Sequence, residues 1–190
     1  MNRLPAGWLA LALFASLAPA PRAAGQTLDL AKSQIGFVSI QMGVPVAGQF
    51  RKFQGTIQFD PKKPEASKAE FSVDIASIDA GSPDANTEVQ DRAWFDTPKF
   101  PNARFSSSAI KSLGGGRYEV RGKLSLKGLS REVVALAMHK TEAGGGASFS
   151  GGFVLKRLDF SIGDGIWSDS ETVANEVEVK FHLVFTAKPK

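Results

Sequence analysis

Two histidines and no cysteine leave this 190-residue chain few groups that could act as an activated nucleophile, a general base or a soft metal ligand. His139 follows Met138 in an alternating run, and His182 lies between Phe181 and Leu183, so both imidazoles are expected to point outward from strands. Two separate outward imidazoles form neither a metal site nor a Ser-His pair, and no HExxH or GxSxG pattern occurs. Ser108-Ala109-Ile110-Lys111 has the SxxK spacing of penicillin-recognising enzymes, but the Ser-Asp-Asn and Lys-Thr-Gly partners are absent, so the match reads as chance. Asp159 and Asp164 could be drawn as an acid and a base, yet nothing in their spacing makes them converge, and turn residues are the simpler reading. The expectation is therefore no catalytic residue, no metal and no cofactor: a chain that binds and is not an enzyme.

The elements that carry the remaining residues are strands. From Gln34 onward apolar side chains recur at every second position, the period of a strand with one buried face. Phe53, Gly55, Ile57 and Phe59 alternate with polar residues, as do Phe71, Val73 and Ile75 after a proline-rich turn. Further such runs are Val120 to Leu126, Val134-Leu136-Met138, Phe149 to Leu155 and Val177 to Phe185. Gly114-Gly115-Gly116 and Gly144-Gly145-Gly146 fall between runs as hairpin tips. One stretch lacks the two-residue period: Asp84 to Phe95, which Ser82-Pro83 opens and Pro98 and Pro101 close, reads as a short helix. Seven to nine strands of about ten residues make an all-β fold, a sandwich or barrel, and an antiparallel barrel of about eight strands leaves no exposed edge.

The chain holds 14 Phe and 3 Trp but 1 Tyr, and most Phe share the buried parity. Gly55, Gly122 and Gly151 share that parity too, so the inner face alternates a large ring with nothing, which favours a cavity over a filled core. The expected lumen residues are Phe37, Phe53, Phe59, Phe71, Phe105, Leu124, Phe149, Phe153, Phe181 and Phe185, with Trp94, Phe160 and Trp167 at the mouth or plug. Ser39 and Gln41 share the parity of Phe37 and are the polar candidates for a ligand headgroup; Gln41 could equally satisfy backbone near a strand end.

Arg3, the apolar run Trp8 to Leu17 and the small residues after it read as a secretory leader, with cleavage expected before Gln26. The run is too short for a membrane-spanning helix, which needs roughly 20 residues. Residues 26–190 are then one exported domain, and the expected location is the periplasm. Of 23 basic residues, Arg3 and Arg22 lie in the leader, leaving 21 against 19 acidic ones, interspersed along the chain. That distribution carries no footprint for nucleic acid.

In order along nearly the whole exported part, several segments resemble one family. They are Gly48 to Asp60, Ser77-Ile78-Asp79, Trp94-Phe95-Asp96 through Phe100 to Phe105, Gly122 to Gly128, and Arg157 to Gly163. Together they look like the YceI family of periplasmic polyisoprenoid-binding proteins. The resemblance implies a lipocalin-like barrel whose lumen holds a long amphiphile, such as an isoprenoid quinone, a polyprenyl chain or a fatty-acyl lipid, carried without chemistry. The chain departs from better-known members where Gln41-Met42-Gly43 replaces a histidine-containing stretch and where the helical segment around Asp91 and Arg92 is shorter. Details including Gly165-Ile166-Trp167 resemble the subgroup associated with membrane b-type cytochromes, which implies a quinone as ligand and a membrane cytochrome or other membrane donor or acceptor as partner. Oligomeric state stays open, a homodimer among the options. Three other readings are an enzyme on the barrel scaffold, a filled β-sandwich interaction module and an outer-membrane barrel; for the last, one Tyr cannot furnish aromatic girdles.

Overall fold

A computed structural model describes residues 26–187. Its strands form one antiparallel sheet of eleven segments. They are β1 (Gln26–Thr27), β2 (Gln34–Gln41), β3 (Val44–Phe50), β4 (Phe53–Gln58), β5 (Lys68–Asp74) and β6 (Ile78–Asp79), then β7 (Asn102–Gly114), β8 (Arg117–Leu126), β9 (Leu129–Thr141), β10 (Ala147–Lys156) and β11 (Glu176–Phe185). Three long strands are each broken once. β1 continues into β2 through a single 3-10 turn at Leu30–Lys32, β3 into β4 through Arg51 and Lys52, and β5 into β6 through a turn at Ile75–Ser77. Counted through these breaks there are eight strands, as expected.

The pairing closes them into a barrel. β7 to β11 run as a meander, and β2 pairs with both β11 and β3. The N-terminal segment completes the circle: Gln26 and Thr27 pair with Ile57 and Thr56 of β4, while Leu28 bridges Phe185 of β11. The breaks fall at the corners this closure needs, because a continuous strand cannot follow a small barrel's curvature without a bend. Lys127-Gly128, at φ of 48° and 75°, makes the two-residue β8–β9 turn.

Alternation of burial follows the sequence in most strands: Ile57 is buried while Gln54, Thr56 and Gln58 are exposed. β9 is the exception. Val133, Ala135 and Ala137 face the core, and Val134, Leu136 and Met138 face outward, the reverse of the expectation. Both parities are apolar from Val133 to Met138, so periodicity did not discriminate; pairing with β8 sets the register. His139 consequently turns inward, not outward, and lies 5.0 Å from Phe59 and 5.1 Å from Phe149 by ring centroids. His182 is outward as expected, its Nδ1 within 2.7 Å of Ser150 Oγ.

The helix is shorter than the sequence suggests. α1 covers Pro83–Glu88, with Ser82 Oγ accepting from the Ala85 amide at 3.2 Å, and the chain then runs through turns to Phe100. There Phe95 and Asp96 amides donate back to Val89 and Asp91 carbonyls, which folds Trp94 into the core.

Candidate functional site

The barrel interior holds two cavities end to end that share Phe153 and Val179 in their walls. The inner one, about 140 Å³, is lined by aliphatic and aromatic side chains from β2, β4, β5 and β7 to β11. The outer one, about 720 Å³, opens beside α1 and adds Ser39, Gln41, Asp84, Glu88 and Arg157 to an apolar wall. An apolar tunnel with polar groups confined to one end matches the shape of an amphiphile with a single headgroup.

Phe59, Phe71, Phe105, Phe149, Phe181 and Phe185 line the inner cavity, Phe153 stands at the neck, and Phe37 and Leu124 line the outer cavity. Phe53 packs against the inner apolar cluster and lines neither space. Trp94 and Trp167 flank the outer cavity with ring centroids 5.5 Å apart. Phe160 does not reach it: at 2% exposure it is sealed in the core behind them. Ser39 is buried in the wall; Gln41 is exposed at the strand end, where its residue bridges Val173.

The glycines do not create the space in the way the sequence suggested. Phe71 pairs with Gly55 and Phe37 with Gly48, and in each case the ring lies where a glycine Cβ would project. At Gly122 the Phe105 ring comes within 2.5 Å of that point. At Gly48, Gly55 and Gly122 the rings thus lie over the glycines along the wall, whereas at Gly151 the backbone carbonyl of Leu136 on the next strand takes that place.

Residues that sequence reasoning missed hold the mouth. Arg157 is 2% exposed and satisfies all its donors on backbone carbonyls. Nε donates to Ala174 at 3.1 Å, Nη1 to Ile162 at 2.8 Å and Gly163 at 3.0 Å, and Nη2 to Trp167 and Val173 at 2.7 Å each. One guanidinium thus fixes the whole segment 162–174 over the barrel end, with its Cζ 5.8 Å from the Trp94 ring. Burial pulls its pKa below the ordinary guanidinium value, and the charges of Asp164 and Asp169 oppose that pull. Lys127 ties the β8–β9 turn to the same region: its Nζ donates to Ser161 and Ala93 carbonyls and lies 3.5 Å from Asp164. Asp159 and Asp164 are exposed, and the SxxK residues Ser108 and Lys111 are exposed on β7. At the far end His139 joins Phe59, Tyr118 and Phe149; burial lowers its pKa from the usual 6.5.

A closed antiparallel meander around an apolar lumen, entered from one end, defines a lipocalin-like barrel. The model of the YceI-like domain matches residues 26–185, and the chain belongs to that family. It is similar to a UPF0312 protein of Azotobacter vinelandii, 34% identical over 70% of this chain and 69% of the relative. It also resembles the crystal structure of BcnA from Burkholderia cenocepacia, with TM-score 0.80 and 41% identity over 83% of this chain and 98% of that one. A polyisoprenoid binding domain from Saccharophagus degradans, implicated in plant cell wall breakdown, shares the fold at TM-score 0.71 and 20% identity, covering 86% of this chain and 99% of that domain.

Proposed function

We propose that this chain is a periplasmic carrier that holds one long apolar amphiphile, an isoprenoid quinone, polyprenyl or fatty-acyl lipid, in the barrel lumen, and that it works by binding and not by catalysis. The observation that carries this is the two-compartment lumen, apolar throughout its depth and polar at its mouth. Each methylene moved from water into such a wall contributes about 0.8 kcal/mol, so a five-carbon prenyl unit contributes roughly 3 to 4 kcal/mol before the costs of association. A few units give tight binding with no catalytic group required. The binding activity named for the Saccharophagus domain of the same fold supports the ligand class. The outward faces of β4, β5, β7 and β8 present Gln54, Glu70, Arg104 and Lys123, a water-facing surface and not a lipid-facing band. The leader and its cleavage before Gln26 lie outside the described residues and belong to the proposal through export to the periplasm.

The test is protein taken from the periplasmic fraction of its host, measured by native mass spectrometry before and after organic extraction. One equivalent of an extractable apolar molecule on a chain beginning at Gln26 is expected. Protein that emerges empty and takes up neither prenyl nor acyl ligands on titration would overturn the reading.

A further inference from the structure

From Val133 to Met138 β9 is apolar on both faces, and a strand segment with two apolar faces is normally covered on both. Its inner face meets the lumen, while its outer residues Val134, Leu136 and Met138 are 41%, 58% and 37% exposed, and Val154 on neighbouring β10 is 58% exposed. The register arranges the surroundings in rows across four strands. Leu136 sits between Glu119 of β8 and Gly152 of β10, and Gly152 pairs in turn with Lys180 of β11. In the next row Val134 pairs with Arg121, and Val154 pairs with Glu178. In the row on the other side Met138 pairs with Arg117, and Ser150 pairs with His182. The apolar centre is therefore flanked by opposite charges whose order reverses from one side to the other: Arg121 then Glu119 along β8, Glu178 then Lys180 along β11.

We propose that this wall is a homodimer interface, closed by a twofold axis that runs nearly along the strands between β9 and β10. Such an axis lays β8 over β11 of the second copy and β9 over its β10. Row by row, Arg121 meets Glu178 of the second copy and Glu119 meets its Lys180. The protruding Leu136 comes down on Gly152 of the second copy, the one position in that row without a side chain. Inclining the axis by about 15° to the strands gives the roughly 30° angle at which aligned sheets pack. A twofold axis across the strands through the Leu136 row sets Glu119 on its own copy and Arg121 on Arg117. Shifted half a row, it pairs Arg121 with Glu119 of the second copy's β8, an arrangement that Lys180→Glu cannot rescue after Glu119→Lys, so the double variant below separates the two. In the isolated chain the charges pair with neighbours on the same wall, Arg121 with Glu119 at 2.9 Å and with Glu132 of β9 at 3.9 Å, and Lys180 with Glu178 at 3.0 Å, and stay solvated, so they remain free to exchange partners on docking. The patch shares no residue with the outer cavity, so a dimer of this kind leaves both mouths open.

Sedimentation velocity on the purified protein, across low to high micromolar concentration, tests the proposal. A dimer is expected, with Leu136→Arg monomeric at the same concentrations and Val154→Lys as a second disrupting variant; circular dichroism of each reports whether the barrel is intact. Glu119→Lys should weaken association about ten-fold or more, since it turns an attraction into a repulsion at two symmetric places. Adding Lys180→Glu to it should restore the dimer, because β8 then faces an oppositely charged β11. A wild-type monomer, a dimer indifferent to folded Leu136→Arg or Val154→Lys, an unweakened Glu119→Lys, or a double variant that stays weak would each overturn the proposal.

Discussion

His139 shows how one side chain can give the fold a pH dependence. Packed among Phe59, Tyr118 and Phe149, its imidazole is held below the ordinary 6.5 by burial. In the unfolded chain the ring takes up a proton near 6.5, whereas in the folded barrel it does so only at lower pH. Between those two values the unfolded state binds more protons, so stability falls as pH falls. The contribution is complete above 6.5, is lost as the pH drops from there toward the folded pKa, and levels off below it. Asp79 and Asp169 have lowered pKa values, Asp79 chiefly through its hydrogen bond from Arg51 and Asp169 chiefly through the Glu171 amide, and they act in a separate, more acidic window. Urea midpoints measured from pH 8 to pH 5 should decline for the native protein. In His139→Phe, whose ring suits the same aromatic surroundings, they should be flatter. Parallel profiles would mean that the imidazole is as solvated in the barrel as in the unfolded chain.

At the level of the strand, the wall is built from glycine and phenylalanine together, and this is where the sequence was legible only in part. The alternation named nearly every strand, and the closing segment Gln26 to Leu28 was the part that no periodicity could announce, since two residues and a bridge carry no period. Glycine on the inner parity was visible as well, but whether its space is empty or filled by a neighbour's ring depends on cross-strand register, which sequence spacing does not encode. The same dependence hid the facing of β9. Arg157 was hidden for another reason: it continues the inward parity of Phe153 and Leu155, but a guanidinium is ordinarily solvated, and only five backbone carbonyls brought together by a loop allow it to be buried. The glycine positions give a direct test. A Cβ at Gly122 would stand 2.5 Å from the Phe105 ring and 2.6 Å from the Ser106 carbonyl oxygen. Gly122→Ala should therefore cost about 1–3 kcal/mol of stability. Combining it with Phe105→Leu should cost less than the sum of the two single changes, since the ring that clashes is gone. A neutral Gly122→Ala, read from denaturation midpoints, would show that the ring does not rest there.

For the whole molecule, the lumen's division at Phe153 and Val179 makes the length of the bound chain a structural variable. The outer cavity can take a headgroup and the first units of a tail; the inner one is reached only through the neck, and it ends against the cluster of Phe59, Tyr118 and His139. Apolar contact grows with every unit that passes the neck, so native protein should prefer long isoprenoid chains to short ones carrying the same headgroup. Val179→Trp places a large ring in the shared wall without touching Ser39, Gln41 or the tryptophans of the mouth. Isothermal titration with a short and a long isoprenoid quinone should then show the short ligand bound within about three-fold of native affinity, while the long ligand loses its advantage, about ten-fold or more. Ala137→Leu, deep in the inner cavity, should penalise the long ligand in the same direction with less disturbance to the neck. If both variants fold and the preference for long chains is unchanged, the tail does not run through the neck, and the two cavities do not act as one channel.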